Sequence, residues 1–173
     1  MNRKRTQVWR ILAVFPSTRG FGFAVFEGPQ ELIDWGVKCA PRKQNAEHRV
    51  KLHALLEWYR PDVLILEDFT GDGSRKSPRV RRVIRSMERM ANKRKIALAS
   101  FSRSTIRQAF SEDDAFTKHE IAKAIAGNLP ELAPHLPPKR KLWMSEDYRM
   151  SIFDAASLAL TFFHFEGQGA RDR

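Results

Sequence analysis

The stretch Asp62-Val63-Leu64-Ile65-Leu66-Glu67-Asp68 decides the reading of this chain. Four consecutive aliphatic residues leave no side for water, so the segment reads as a strand buried on both faces, as in the middle of a parallel sheet. Glu67 closes it, and an ionised carboxylate at the end of a buried strand is costly unless a metal, a cation or water meets it. A second such acid is Asp154, inside Ser151-Ile152-Phe153-Asp154-Ala155-Ala156-Ser157-Leu158-Ala159-Leu160, where almost every neighbour belongs in a core. Two acids in apolar settings, far apart in sequence, point to one shared site.

Upstream, residues 8–15 predict a strand, 16–20 a turn, 21–27 a second strand, Gly28-Pro29 a turn and 31–39 a third strand, together an antiparallel meander. A polar linker leads to a helix over 46–59, with Val50, Ala54, Leu55 and Trp58 as its apolar side and Pro61 as its stop. Because a helix precedes 63–66, that strand is expected to run parallel to the first through a crossover. Downstream, 70–78 reads as a loop and 79–95 as a helix striped by Val80, Val83, Ile84, Met87 and Met90. A strand over 96–101, helices over 104–110 and 116–129, and a Pro-rich irregular loop over 132–141 follow. The last helix, from Ser145 or Ser151 to about Phe165, is apolar nearly all round. This element order is that of the RNase H-like fold, an α/β architecture with a five-stranded mixed sheet, its first three strands antiparallel, flanked by helices. A single domain over 1–173 is expected, with a short basic N-terminal and a polar C-terminal tail.

A chain of 173 residues with 42% hydrophobic content can bury one substantial core. Its 31 Lys and Arg against 20 Asp and Glu, a net +11, predict a polyanionic partner, with nucleic acid ahead of an anionic membrane surface. Cys39 is the only cysteine, which excludes an intrachain disulfide and a cysteine zinc cluster and suits a cytoplasmic setting. No run of about 18 apolar residues predicts a membrane span, and the basic start is not followed by a secretory signal.

Metal-assisted phosphodiester cleavage needs several carboxylates converging on one or two Mg²⁺ ions. Glu67 and Asp154 are the candidates for that chemistry. Asp68 is a weaker one, since successive strand residues point to opposite faces. On the last helix Asp154, Ser157, Thr161 and His164 fall along one face. For Thr161 and His164 a wetter helix side, or hydroxyls bonded to their own backbone, is the expected explanation.

The stretches at 11–25 (ILAVFPSTRGFGFAV), 61–67 (PDVLILE) and 154–160 (DAASLAL) resemble the RuvC-type Holliday junction resolvases, in the same order and over roughly 11–164. The resemblance, that of a divergent member, implies the RNase H-like fold, a Mg²⁺- or Mn²⁺-dependent structure-selective endodeoxyribonuclease ancestry, and a homodimer. Met87 and Met90 are the contacts the basic helix would offer such a dimer. It places the family's strand-end glutamate on Glu67 and a final-helix aspartate on Asp154, the two metal-ligand candidates. Two positions depart from it. The family has a second aspartate three residues along the final helix, where this chain has Ser157; registering Asp154 on that second aspartate instead puts Ser151 at the first, so one acid is lost either way. Its first strand ends in Asp-Pro-Gly, where this chain reads Phe15-Pro16-Ser17. The resemblance puts that aspartate between the metals, and phenylalanine offers a hard cation no lone pair. Asp68, Asp72, Asp147 and the more distant Asp34 are the acids available as replacements.

Between Arg75 and Arg107 the chain carries twelve Lys or Arg and one acid, Glu88. Arg75, Lys76, Arg79, Arg81, Arg82, Arg85 and Arg89 are the nucleic-acid-binding candidates, expected to neutralise phosphates without reading sequence. Arg19, Lys139, Arg140 and Lys141 would extend that surface, and Trp143 or Phe69 would stack on exposed bases. The expected function is a RuvC-like protein that binds branched or structured DNA through an incomplete acidic site. The alternatives are an active Mg²⁺-dependent endonuclease with a repaired site, and a non-catalytic scaffold or assembly protein.

Overall fold

The computed structural model describes residues 8–41, 45–71 and 74–171. Its strands are β1 (Ile11–Ser17), β2 (Gly20–Gly28), β3 (Glu31–Cys39), β4 (Val63–Glu67) and β5 (Ala97–Phe101). Its helices are α1 (Asn45–Tyr59), α2 (Pro78–Lys93), α3 (Arg103–Ala109), α4 (Lys118–Asn128) and α5 (Met150–Arg171). The strands form one sheet in the order β3-β2-β1-β4-β5. β1, β2 and β3 are antiparallel neighbours, while β1, β4 and β5 run parallel. That is the expected mixed sheet, and the crossover through α1 delivers β4 beside β1 as the buried run requires.

Strand alternation divides the core into two layers. Ile11, Ala13 and Phe15 of β1 and Val63 and Ile65 of β4 face α3, α4 and α5. Leu12, Val14, Leu64 and Leu66 face α1 and α2. By the same alternation Glu67 falls on the α5 side with Phe15. α5 is buried from Ser151 to Ala159, and its first turn crosses β2 so closely that a Cβ on Gly22 would lie 2.1 Å from the Ser151 carbonyl oxygen. Gly22 is therefore a packing requirement.

Several expectations shift. β1 begins three residues late, leaving Val8 and Trp9 exposed, and runs on through Pro16 to Ser17. Proline is tolerated there because β4 stops pairing with β1 after Ala13, so the missing N–H interrupts no bond on that side. α1 turns its Leu52, Leu55 and Leu56 inward, while Val50 and Trp58 lie exposed. Of the predicted stripe only Leu55 is buried, with Ala54 exposed as well, because Leu52, Leu55 and Leu56 fit helical spacing as well as the set at 50, 54 and 58. α2 ends at Lys93 because Lys95 takes a left-handed conformation at φ 58°. Met87 is fully buried against the sheet and is no surface contact. The loop expected over 132–141 begins inside a 3-10 turn, Pro130–His135, whose Leu132 is buried. Among the described residues no helix is long and apolar enough to cross a membrane.

Candidate functional site

β1 and β4 pair at Ile11↔Val63, Leu12↔Leu64 and Ala13↔Ile65, then part. Continuing that register by two residues sets Phe15 opposite Glu67. Where the strands separate, a cleft of about 1050 Å³ opens, with Phe15, Glu67, Lys76, Arg103, Lys118 and Glu146 among its lining. Asp154 of α5 is buried behind two of the lining cations, Arg103 and Lys118.

Both acids are buried, with Glu67 7% and Asp154 4% exposed, and each is met by a lysine. Lys76 Nζ lies 2.9 Å from Glu67 Oε2, and Lys118 Nζ lies 2.9 Å from Asp154 Oδ2. Neither contact is aligned as a hydrogen bond, so these are ion pairs held by charge. The two ammonium groups flank the same ring: Lys76 Nζ is 3.7 Å and Lys118 Nζ 5.4 Å from the Phe15 centroid. Both distances are within cation–π range. Glu67, Lys76, Phe15, Lys118 and Asp154 thus form one continuous cluster, which joins the two acids singled out in the sequence.

Local structure aims both lysines. Lys76 precedes Ser77, whose hydroxyl caps α2 by accepting from the Val80 N–H at 3.3 Å. Arg81 ties down the same loop, donating to the Lys76 carbonyl at 3.0 Å and the Ser74 carbonyl at 3.3 Å. Lys118 is the first residue of α4, behind a capping box formed by Thr117 and Glu120. A cation at a helix N-terminus opposes the macrodipole, so its position rests on the carboxylates it meets. These are Asp154 and Glu146, the latter at 2.7 Å. Burial pulls the Lys118 pKa down, yet Asp154 and Glu146 hold it above the usual lysine value. Burial pushes the Asp154 carboxyl upward, while Lys118 and Arg103, whose Nη1 is 3.5 Å away, pull against that.

A two-metal centre does not fit these residues. Mg²⁺ requires near-octahedral oxygen coordination, and here β1 offers a phenyl ring while each buried acid faces an ammonium group. Among the described residues no group of three His, Cys, Asp or Glu is placed to hold a metal ion. Asp68 lines the cleft, but its Oδ1 accepts from the Thr70 N–H at 2.8 Å and the Thr70 hydroxyl at 2.6 Å, closing the loop that follows. Asp147 pairs with Arg149 at 2.7 Å, and that bond lowers its pKa. Asp34 accepts the Tyr59 hydroxyl against α1. Asp72 lies outside the described residues. Ser157 donates to the Asp154 carbonyl and Thr161 to the Ser157 carbonyl, each at 2.7 Å, so both hydroxyls serve their own helix.

No protein-family model matches this sequence, and no curated protein matches it. Solved structures do. Thermus thermophilus RuvC aligns over 92% of this chain and 96% of its own, with a TM-score of 0.67 at 16% identity. The same protein in complex with a Holliday junction substrate gives 0.68 over 93% and 96%, also at 16% identity. The chain has the RuvC fold. The yeast mitochondrial Holliday junction resolvase shares it, with a TM-score of 0.63, 17% identity, and 93% of this chain aligned to 80% of that one.

On this RuvC scaffold the basic residues divide into working groups. Lys76 is turned to Glu67, Arg81 holds its loop, and Arg79 donates to the Pro41 carbonyl at 3.4 Å. Arg82, Arg85 and Arg89 are exposed along α2, and Arg85 lies 5.4 Å from the ring centroid of Phe69. Phe69 itself is buried in the α1–α2 layer and is unavailable for base stacking. Arg75, Arg107 and Arg140 line the cleft and, among the described residues, enter no ion pair or hydrogen bond. Lys118 and Glu146 are not among the residues the sequence singles out, and Arg103 and Arg107 enter that reading only as members of the basic stretch. For Arg103 and Lys118 the signal is a cation directly after a helix cap, Ser102 and Thr117; nothing in the sequence marks Arg107 or Glu146.

Proposed function

We propose that this protein binds branched nucleic acid in the cleft of its RuvC-like fold and does not cut it. The observation that carries this reading is the pair of lysines around Phe15. Metal-assisted cleavage needs carboxylates free to bind cations, and here Glu67 and Asp154 are occupied by ammonium groups fixed by a capped helix and a tethered loop. The cleft keeps the charge for holding phosphate. Its lining carries Arg75, Lys76, Arg103, Arg107, Lys118 and Arg140 against Glu67, Asp68 and Glu146, an excess of three positive charges. Branched DNA is the partner this reading favours, because that is what the structurally similar resolvase holds in its complex.

The test is binding and cleavage of four-way DNA in Mg²⁺, in Mn²⁺ and in EDTA. No product in any of the three, a steep salt dependence, and affinity in Mg²⁺ or Mn²⁺ no higher than in EDTA are expected. Metal-dependent cutting abolished in Glu67→Ala and Asp154→Ala would overturn the proposal. Negligible affinity at physiological salt would favour a scaffold role. Phe15→Asp alone is expected to stay inactive, since the new carboxylate would lie between two ammonium groups and pair with them.

A further inference from the structure

We propose that the turn at 141–144 is a nucleobase-stacking site on the lip of the cleft, where Trp143 receives an unpaired DNA base and Arg140 and Lys141 take the adjoining phosphates. This rests on the reading that the cleft holds nucleic acid.

The Met144 N–H donates to the Lys141 carbonyl at 3.0 Å, which makes Leu142 and Trp143 the two corner residues of a tight turn. Corners of this kind favour Gly, Pro, Asn, Asp and Ser for conformational reasons. Here they hold two large apolar side chains, Leu142 at 97% and Trp143 at 80% exposure. Nothing in the turn requires an indole, and no core receives it.

The turn is also fastened to the site. Arg140 on one stem and Glu146 on the other both line the cleft, and Glu146 is held at 2.7 Å by Lys118, the lysine that neutralises Asp154. Lys141 Nζ lies 5.4 Å from the Trp143 ring centroid, placing a cation against an otherwise solvent-facing indole. Lys139, Arg140 and Lys141 are all exposed and adjacent in sequence. An apolar partner protein would have to leave three cations unmatched. A strand with one base lifted from its stack matches both features, phosphates to the cations and a π-face to the ring.

The experiment uses the full chain, with Trp143→Ala and Trp143→Phe. Affinities are measured for a single strand, a duplex with a short unpaired bubble, and a fully paired duplex of equal length. Trp143→Ala is expected to weaken binding to the single strand and the bubble about tenfold, with duplex affinity unchanged, and Trp143→Phe to retain most of the wild-type value. Tryptophan emission should fall on addition of the bubble in wild type and not in Trp143→Ala. Equal affinities of Trp143→Ala and wild type for all three DNAs would overturn the proposal. So would an equal loss on paired duplex, or a change in sedimentation without a change in DNA binding. If wild type binds none of the three, and neutralising Arg75, Arg107 and Arg140 changes nothing, the cleft reading itself fails. If duplex binding and its salt dependence persist while Trp143→Ala is silent, only the stacking site fails.

Discussion

Lys118→Met is the most direct probe of the cluster. It removes the ammonium group 2.9 Å from Asp154 and leaves that carboxylate, 5% exposed in its side chain, with Arg103 at 3.5 Å as its remaining cation. Breaking a fully buried pair by deleting one partner costs about 3–5 kcal/mol. Two features reduce the figure: Arg103 stays, and the Lys118 side chain is 28% exposed, so water already screens part of the interaction. A loss of roughly 2–3 kcal/mol is expected, read as a lower urea midpoint at unchanged slope. Asp154→Asn in the same background should recover much of it, and the double-mutant cycle isolates the pair.

The pH dependence follows from the same charges. Lys118 has its pKa raised above 10.5, so in wild type its contribution is fully present below that value and is lost as pH rises through the folded-state value. In Lys118→Met, burial of Asp154 dominates, and its pKa rises further above 3.8. Between 3.8 and the raised value the native state binds a proton that the unfolded state has released. Stability of the variant should therefore fall as pH rises through that window. A Lys118→Met midpoint within about 0.5 kcal/mol of wild type would refute the reasoning, because such a value is typical of an ordinary surface change. A wild-type melting temperature raised by millimolar Mg²⁺ would also refute it, since that would show metal binding to the native state.

Gly22→Ala should destabilise by about 3 kcal/mol or more, or prevent folding, because its Cβ would meet the Ser151 carbonyl oxygen; an unchanged thermal midpoint would show that α5 can move away. Tyr59, pushed up to about 12 by burial and by its hydrogen bond to Asp34, should appear as a late step in a phenolate absorbance titration of the Tyr148→Phe variant, and Asp34→Asn should move that step down. Its contribution to stability should be full below 10 and fade towards 12. Replacing Arg82, Arg85 and Arg89 with Gln should lower the salt slope of DNA binding by up to about one for each phosphate no longer neutralised, without altering the urea midpoint.

The sheet was legible because its signals are periodic. The apolar runs at 21–26 and 63–66, each bounded by turn residues or an acid, specify strands buried on both faces, and the structure contains both. α1 was misread in phase because its apolar residues occupy two faces, and only packing against β2 and α2 chooses between them. Glu67 and Asp154 were found because a buried acid breaks an apolar pattern. Lys76 and Lys118 were not recognised as their partners because a lysine in a polar loop or at a helix start breaks no pattern. The information that pairs them is the parting of β1 from β4 after Ala13, a three-dimensional fact.

That asymmetry explains how such a site holds together. A carboxylate at 4% or 7% exposure cannot remain ionised without a nearby cation, whatever the protein's task. In a metal centre the ions supply that charge, but only while enough oxygen ligands surround them. Measured against the RuvC-type pattern the chain resembles, two acid positions are held by Phe15 and Ser157, and Glu67 and Asp154 still have to be neutralised. Lys76 at Glu67, and Lys118 with Arg103 at Asp154, answer that need, and the Phe15 ring offers its π-face to both ammonium groups. Phe15, Lys76 and Lys118 are then a coupled set. Restoring an acid at 15 without removing a lysine leaves a neutralised cluster, and removing a lysine without restoring the acid leaves a buried unpaired charge. Only Phe15→Asp combined with loss of both lysines would return oxygen ligands to the cleft, so Mn²⁺ binding by calorimetry is expected in that triple variant and in neither partial one. Mn²⁺ binding in Phe15→Asp alone would show that the lysines yield to metal and that the three positions are independent.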